Sequence, residues 1–408
     1  MARAFKYGDE DDLERAKFLA QLQPSNNPLT QKAGCETWQC AWSADASYFA
    51  WSCGNRLVKL IPWSKRRKSS THNAYPNEDE EEFNTQPVTI DCGHLVWSVA
   101  FGATTHPGKV NSTLISWRMF DFSKNLILAT GLNNGNIRIW DVGTSKLLME
   151  LVDHRDVIRC LQFAPNQSMQ LASASRDGQI KIWDMLDDGN MKKTLTTSSK
   201  WLYSCCWSPQ ADMLAGTGQQ KSVVIWDMKT YKVKHTLSGH NHEVVGCEFS
   251  PDGALLATSS YDTRLIVWDP HTGEALQEFG HLFPPPSRIY AGGANGSYVR
   301  GVTFSRDGLH LASISDDGYL RFWYLFDEDN PIAVGDVQNA LCCNHSPCGQ
   351  VLAAGSRNGC ISFYEMPTGI QSLQHISRMA IRHLVPTQDV DQLFLPRRLK
   401  EYLKYKLE

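Results

Sequence analysis

Two sets of residues in this chain could carry acid–base chemistry: His154, Ser173 and Asp177, and His240, Thr258 and Asp262. Each combines an imidazole, a hydroxyl and a carboxylate, the inventory of a proton-transfer site. No other enzymatic signature accompanies them: there is no Gly-rich phosphate loop, no nucleophile elbow and no carboxylate pair outside these positions. Twelve cysteines invite a metal reading. No Cys-x-x-Cys pair occurs, however, and Cys40, Cys205, Cys247 and Cys343 stand two residues before Trp42, Trp207, Phe249 and His345. Residues two apart on a strand share a face, so a recurrent cysteine there reads as core packing. Neither a metal nor a cofactor is expected.

The elements that must position these residues are legible as self-similarity. Phe163-Ala-Pro, followed by Leu-Ala-Ser-Ala-Ser-Arg-Asp177-Gly-Gln-Ile-Lys-Ile-Trp183-Asp, aligns with Phe249-Ser-Pro and Leu-Ala-Thr-Ser-Ser-Tyr-Asp262-Thr-Arg-Leu-Ile-Val-Trp268-Asp. The pattern returns at Trp140, Trp226, Trp323 and Tyr364, with a degenerate first copy at Ile61. These seven positions are separated by 79, 43, 43, 42, 55 and 41 residues. A period near 42 with alternating β-rich segments between Gly, Asp and Pro turns is that of a four-stranded propeller blade. The two long intervals imply loop insertions.

Over residues 35–370 the chain resembles the WD-repeat family, which implies an all-β, seven-bladed β-propeller. The resemblance gives the acid–base sets another role. In that family His, Ser or Thr, Asp and Trp form a buried hydrogen-bond chain within each blade. His154, Ser173, Asp177 and Trp183, and His240, Thr258, Asp262 and Trp268, match in full. Elsewhere the pattern decays: Asn55, Asn134, Gln220 and Asn358 replace the Asp, Ser199-Lys200 replaces Gly-His, and Ile61 and Tyr364 replace the Trp. A propeller must close to avoid open strand edges. The outer strand of the seventh blade is expected from Arg15–Leu22, within an N-terminal segment 1–34; a short helix there, or closure by the chain after Glu365, are the alternatives. Insertions are expected at 64–87, 102–123 and 282–298. Asn133, Arg176, Gln219, Tyr261, Asp316 and Arg357, each just before a turn Asp position, should ring one channel mouth and contact a protein substrate.

The last residues, 371–408, break the period. Leu373, Ile376, Ala380, Ile381 and Leu384 form one apolar stripe of a helix over 372–385, and Pro396 opens another bearing Leu399 and Leu403. So small a helical unit cannot bury two apolar faces, so one face needs a partner. The run Ser372-Leu373-Gln-His-Ile376-Ser377-Arg-Met-Ala-Ile381, then Leu393-Phe394-Leu395-Pro396-Arg-Arg-Leu399-Lys-Glu-Tyr402-Leu403, resembles a SOCS box. With the propeller it resembles the WD-repeat and SOCS-box-containing protein family along the whole chain, nearer its first member than its second. The resemblance implies a substrate receptor of a cullin-RING ubiquitin ligase. Leu373, Ile376, Ser377 and Ile381 would bind elongin B/C. Leu393, Phe394, Leu395, Pro396, Leu399 and Tyr402 would bind cullin-5 with its RING partner. Ser377 stands where the family's motif has Cys, and Phe394 where it has Pro. A hydroxyl at position 377 can bond back to the carbonyl of Leu373, which limits its burial penalty.

Composition narrows the classes further. A net charge of −3 is not the basic footprint of a nucleic-acid or membrane binder. No window approaches the apolar length of a signal peptide or membrane helix, so an intracellular, cytoplasmic protein is expected. The basic run Lys65-Arg-Arg-Lys68 would admit the nucleus, but beside Glu78–Glu82 it reads first as a solvated loop. The competing class is a WD-repeat scaffold whose tail packs internally; an enzyme ranks last.

Overall fold

The computed structural model describes residues 14–23, 35–63, 87–103, 126–281, 298–327, 331–367 and 372–406. The three expected insertions therefore fall almost wholly outside the described residues. Among the described residues, twenty-eight strands are arranged in seven four-stranded antiparallel sheets, followed by three C-terminal helices. In six sheets the strand order follows the chain, from the channel outwards.

Blade three shows why the repeat folds this way. Its strands are Ile158–Phe163, Gln170–Ser175, Gln179–Asp184 and Asn190–Thr196. The second and third are buried almost throughout, whereas the outer one is mostly exposed. Ile180, Ile182 and Leu195 of this blade pack against Leu202, Leu214 and Trp226 of the next, so each core is shared between neighbours. Ring stability thus comes from stacked apolar faces.

The seventh sheet is completed from the other end of the chain. Ala340–His345, Val351–Ser356 and Ile361–Glu365 supply three strands, and Phe18–Leu22 supplies the outer fourth. Phe18 pairs with Tyr364 and Leu22 with Ile361. The same segment also ties into blade six, where the Val334 amide donates to the Glu14 carbonyl at 2.9 Å and the Ala16 amide donates to the Val334 carbonyl at 2.8 Å.

Polar hubs lock the blades from within. Ser173 Oγ accepts from Trp183 Nε1 at 2.8 Å and lies 2.8 Å from His154 Nε2; His154 Nδ1 is 2.7 Å from Asp177. Thr258, Trp268, His240 and Asp262 repeat this at 2.8, 2.8 and 2.9 Å. Burial acts to raise the Asp177 and Asp262 carboxyls, but the hydrogen bonds from His154 and His240 hold both below their usual range. Blade six has a hub the sequence comparison overlooked: His281 and Trp323 meet on Ser313 at 2.9 and 2.8 Å. Its turn Asp317 is bonded instead to Arg321 at 2.6 Å. In blade two Thr130 accepts from Trp140 at 3.0 Å, and no imidazole reaches it among the described residues.

Ser173→Ala should strip the partner from both Trp183 and His154 and destabilise the protein by about 2 kcal/mol, the penalty for orphaned buried donors. Thr130→Val, which orphans the indole alone, should lose about half as much. Guanidinium unfolding followed by tryptophan fluorescence measures both, and equal losses would show that the imidazole adds nothing.

Candidate functional site

Two regions carry the sequence-predicted site residues, at opposite ends of the ring. The tail forms α1 (Leu373–Leu384), α2 (Thr387–Val390) and α3 (Arg397–Leu403). The Ser372 hydroxyl caps α1 by accepting from the His375 amide at 3.1 Å. The faces of α1 are inverted relative to an ordinary surface helix. Leu373 and Leu384 are 82% and 81% exposed, and Ile376 is also exposed. His375, Arg378 and Arg382 are each only 3% exposed.

The polar face is docked on the propeller. His375 Nε2 lies 2.6 Å from the Asp307 carbonyl, in a turn of blade six. The Arg378 guanidinium sits 3.8 Å from the ring centre of Tyr402, 4.4 Å from Tyr405 and 5.2 Å from Phe326. Stacking of a desolvated guanidinium on aromatic faces contributes about 2 kcal/mol. Arg382 donates to the Val385 carbonyl at 2.9 Å and to the Thr387 hydroxyl at 2.6 Å, which joins α1 to α2. The Tyr405 hydroxyl donates to Asp252 of blade five at 2.6 Å; burial and that carboxylate push its pKa well up. Gln210 of blade four donates to the His383 carbonyl at 3.1 Å. Gly308, at φ +67, allows the close approach: a Cβ there would meet Met379 at 3.1 Å.

Ser377 is exposed, and its Oγ donates to the Leu373 carbonyl at 2.8 Å. Ile381 is half-buried. Phe394 is fully exposed, Leu399 and Pro396 are exposed, and Leu393 and Leu395 are half-buried. The Tyr402 ring is buried beneath Arg378, within the docking cluster. Thr387, the first residue of α2, accepts from Arg382, and Pro396 opens α3 from its N-cap.

At the far end of the strands the channel opens onto a different surface. Asn133, Arg176, Gln219, Tyr261, Asp316 and Arg357 occupy equivalent turns there, their amides donating in turn to Leu95, Val157, Trp201, Glu243, Tyr298 and Asn339. Only Tyr261 of the six lines the axial cavity of about 350 Å³. The other five do not line it. The reason is a β-bulge repeated near the start of six innermost strands, between Val96/Ser98, Ile158/Cys160, Leu202/Ser204, Val244/Gly246, Val299/Gly301 and Ala340/Cys342. A bulge re-aims the residue it leaves unpaired. Those residues, among them Trp97, Arg159, Tyr203 and Arg300, gather at the mouth, and sequence reasoning missed them. Arg159 lies 4.4 Å from the Trp97 ring and 5.8 Å from those of Trp38 and Tyr203. Burial, aided by Arg176, pushes its pKa down to about 10. Arg176 stands over Trp97 and Trp201 at 5.6 and 5.5 Å. The channel carboxylate Glu248 is pushed up to about 7 by burial. None of the twelve cysteines is in a disulfide.

Comparison with known proteins places both regions. The SOCS box family profile matches residues 369–404, and the WD domain, G-beta repeat profile matches 145–184, 189–227, 231–269, 286–324 and 333–365. The chain is 48% identical over 414 residues to WD repeat and SOCS box-containing protein 1 of Homo sapiens, covering 98% of each. It is 47% identical over 420 residues to that of Danio rerio, again covering 98% of each. The chain belongs to the WD repeat and SOCS box-containing protein family.

A solved structure titled "Crystal Structure of Mitotic Checkpoint Complex" superposes with a TM-score of 0.64 at 20% identity, covering 90% of this chain and 99% of that one; it speaks to the fold alone. In a WD repeat and SOCS box-containing protein the box implies elongin B/C and cullin binding in general, which supports a substrate-receptor adaptor role of the cullin-RING class. No described helix is long and apolar enough to cross a membrane.

The docking cluster responds to pH. Burial lowers the His375 pKa from its ordinary 6.5, so the unfolded tail takes up a proton before the docked one does. His375 therefore supports docking fully above pH 6.5, and that support is lost as pH falls from there towards its folded pKa. Hydrogen exchange should find residues 372–406 less protected at pH 5 than at pH 7.5. His375→Gln, still able to donate to Asp307, should flatten that difference; an unchanged difference would remove His375 as its source.

Proposed function

We propose that this chain is the substrate-recognition subunit of an elongin B/C–cullin-5 ubiquitin ligase, its propeller holding a protein substrate and its tail recruiting the ligase. The observation that carries the reading is the exposed apolar stripe Leu373, Ile376 and Leu384 on a helix whose other face is already docked. Burying such side chains in a partner is worth about 2 kcal/mol each. Leu373 and Ile381 would enter elongin C, with Ile376 and Ser377 beside them. Leu393–Pro396 and Leu399 would help select cullin-5 with its RING partner. Residues 1–34, 35–370 and 371–408 then act as closing segment, receptor and recruitment box.

The mechanism is proximity. A tethered substrate presents its lysines to the charged conjugating enzyme at high local concentration. The tail sits at the end of the channel away from the mouth, so recruitment and capture do not compete for surface. We place the assembly inside the cell, a reducing compartment that cysteines joined by no disulfide would suit. The rival reading, a scaffold whose tail packs internally, draws on the same docking contacts but leaves the outward stripe without a purpose.

Leu373→Asp tests the proposal cleanly. Leu373 is the first helical residue and largely exposed, where an acid suits the helix dipole, so the fold should be unaffected. Elongin co-purification should be abolished with an unchanged melting temperature, and retained elongin would defeat the proposal. Ser377→Cys should tighten elongin binding a few-fold, because the hydroxyl then no longer has to be buried.

A further inference from the structure

The channel mouth holds buried donors without acceptors. Trp38 Nε1, Trp97 Nε1, Arg159 Nε and Arg176 Nε are all buried and lack a hydrogen-bond partner among the described residues. They are one cluster: the Trp38 and Trp97 rings are 4.2 Å apart, Arg159 stacks on both, and Arg176 stands over Trp97. Neither arginine forms an ion pair among the described residues. Nearby carboxylates are already committed, Asp316 to Arg300 at 2.8 and 2.6 Å and Glu243 to the Tyr203 hydroxyl at 2.8 Å. Folding alone does not favour two unpaired guanidiniums brought together in a partly desolvated site. A ligand that supplies the missing acceptors would.

We propose that this mouth binds an acidic peptide segment, whose carboxylate or phosphate oxygens accept from Arg159 and Arg176 while its flanking side chains lie on Trp38, Trp97 and Tyr203. A guanidinium fork is matched to either anion by paired hydrogen bonds. Three features favour a peptide over nucleic acid. The net charge is −3, Asp316 and Glu243 stand around the same mouth, and a cavity of about 350 Å³ admits a few side chains rather than a phosphate track. The inference rests on the receptor reading only for calling the peptide a substrate.

The test is to pan a randomised dodecapeptide display library against the purified full-length chain. A second set of synthetic peptides then carries glutamate, phosphoserine or glutamine at one central position. Panning should enrich Asp and Glu, and the glutamine peptides should bind at least about tenfold more weakly than their anionic counterparts, as expected for loss of a central anchor. The glutamate and phosphoserine arms identify which anion the site prefers. Arg159→Gln with Arg176→Gln should lower binding by a similar factor without lowering the melting temperature, because the charges removed have no partner. If the double variant melts earlier, Arg176→Gln alone carries the comparison. No enrichment, enrichment without acidic residues, or undiminished binding by the variants would each overturn the proposal. Elongin co-purification from the same preparations separates the two readings. Its loss with acidic peptides still bound would count against the receptor function alone, and the reverse against this site alone.

Discussion

The structure depends on closure of the ring. A sheet of three strands at the seventh position would expose a row of unpaired backbone groups next to blade six, and neighbouring cores would lose a wall. Phe18–Leu22 prevents this by pairing with Ile361–Glu365, while Glu14 and Ala16 bond across to Val334. Residues more than 300 positions apart in the chain are thereby fixed to one another. Once closed, the innermost strands have no freedom to splay. The repeated bulge can then aim side chains from different blades at one axial point, and the turns bearing Asp252 and Asp307 become a fixed floor for the tail.

That floor explains the inversion of α1. Its groups are a carbonyl at Asp307 that meets His375, the Gln210 amide that donates to the His383 carbonyl, and a carboxylate at Asp252 that accepts from Tyr405 of the same tail; these are partners for polar groups and not for leucines. A helix presenting its apolar stripe to them would strand them. Turning His375, Arg378 and Arg382 inward satisfies the floor and leaves the stripe outside. The buried charge of Arg378 is tolerated because three aromatic rings surround it and its guanidinium also reaches the Tyr402 carbonyl at 3.3 Å. An exposed hydrophobic surface and a buried cation on one helix are thus a single solution, not two anomalies.

Much of this was legible in the sequence, for reasons that can be named. The blade hubs are local: Trp183 finds Ser173 on the neighbouring strand, so spacing within one repeat reveals them. The tail stripe was legible because a period of three and four residues is intrinsic to a helix. The Ser377 back-bond followed from reach along the same turn. By contrast, the docking face of α1 depended on what another part of the chain offered. The spacing of His375, Arg378 and Arg382 with Tyr402 and Tyr405 downstream was a usable signal, but only beside a partner surface. The same cause hid the place of Tyr402 beneath Arg378. At the mouth, the residues before the turns were an intelligible choice, yet a one-residue bulge decides which side chains face the axis. Bulges leave little mark on the apolar pattern; the clue would have been Trp97, Arg159, Tyr203 and Arg300 recurring one place after the buried start of each innermost strand.

The two ends of the ring treat charge differently, and the contrast bears on what each is for. Below, Arg378 and Arg382 are capped by carbonyls, a hydroxyl and aromatic faces supplied by the chain itself. Above, Arg300 is paired with Asp316, whereas Arg159 and Arg176 find aromatic faces but no oxygen partner among the described residues. Aromatic stacking offsets part of the desolvation of a cation but none of its unmet hydrogen-bond capacity. The Nε atoms of Arg159, Arg176, Arg378 and Arg382 all lack a partner among the described residues, but Arg378 and Arg382 meet acceptors through their terminal nitrogens. Two guanidiniums without any such acceptor, at the mouth of a rigid ring, are where an anion arriving from outside would gain most.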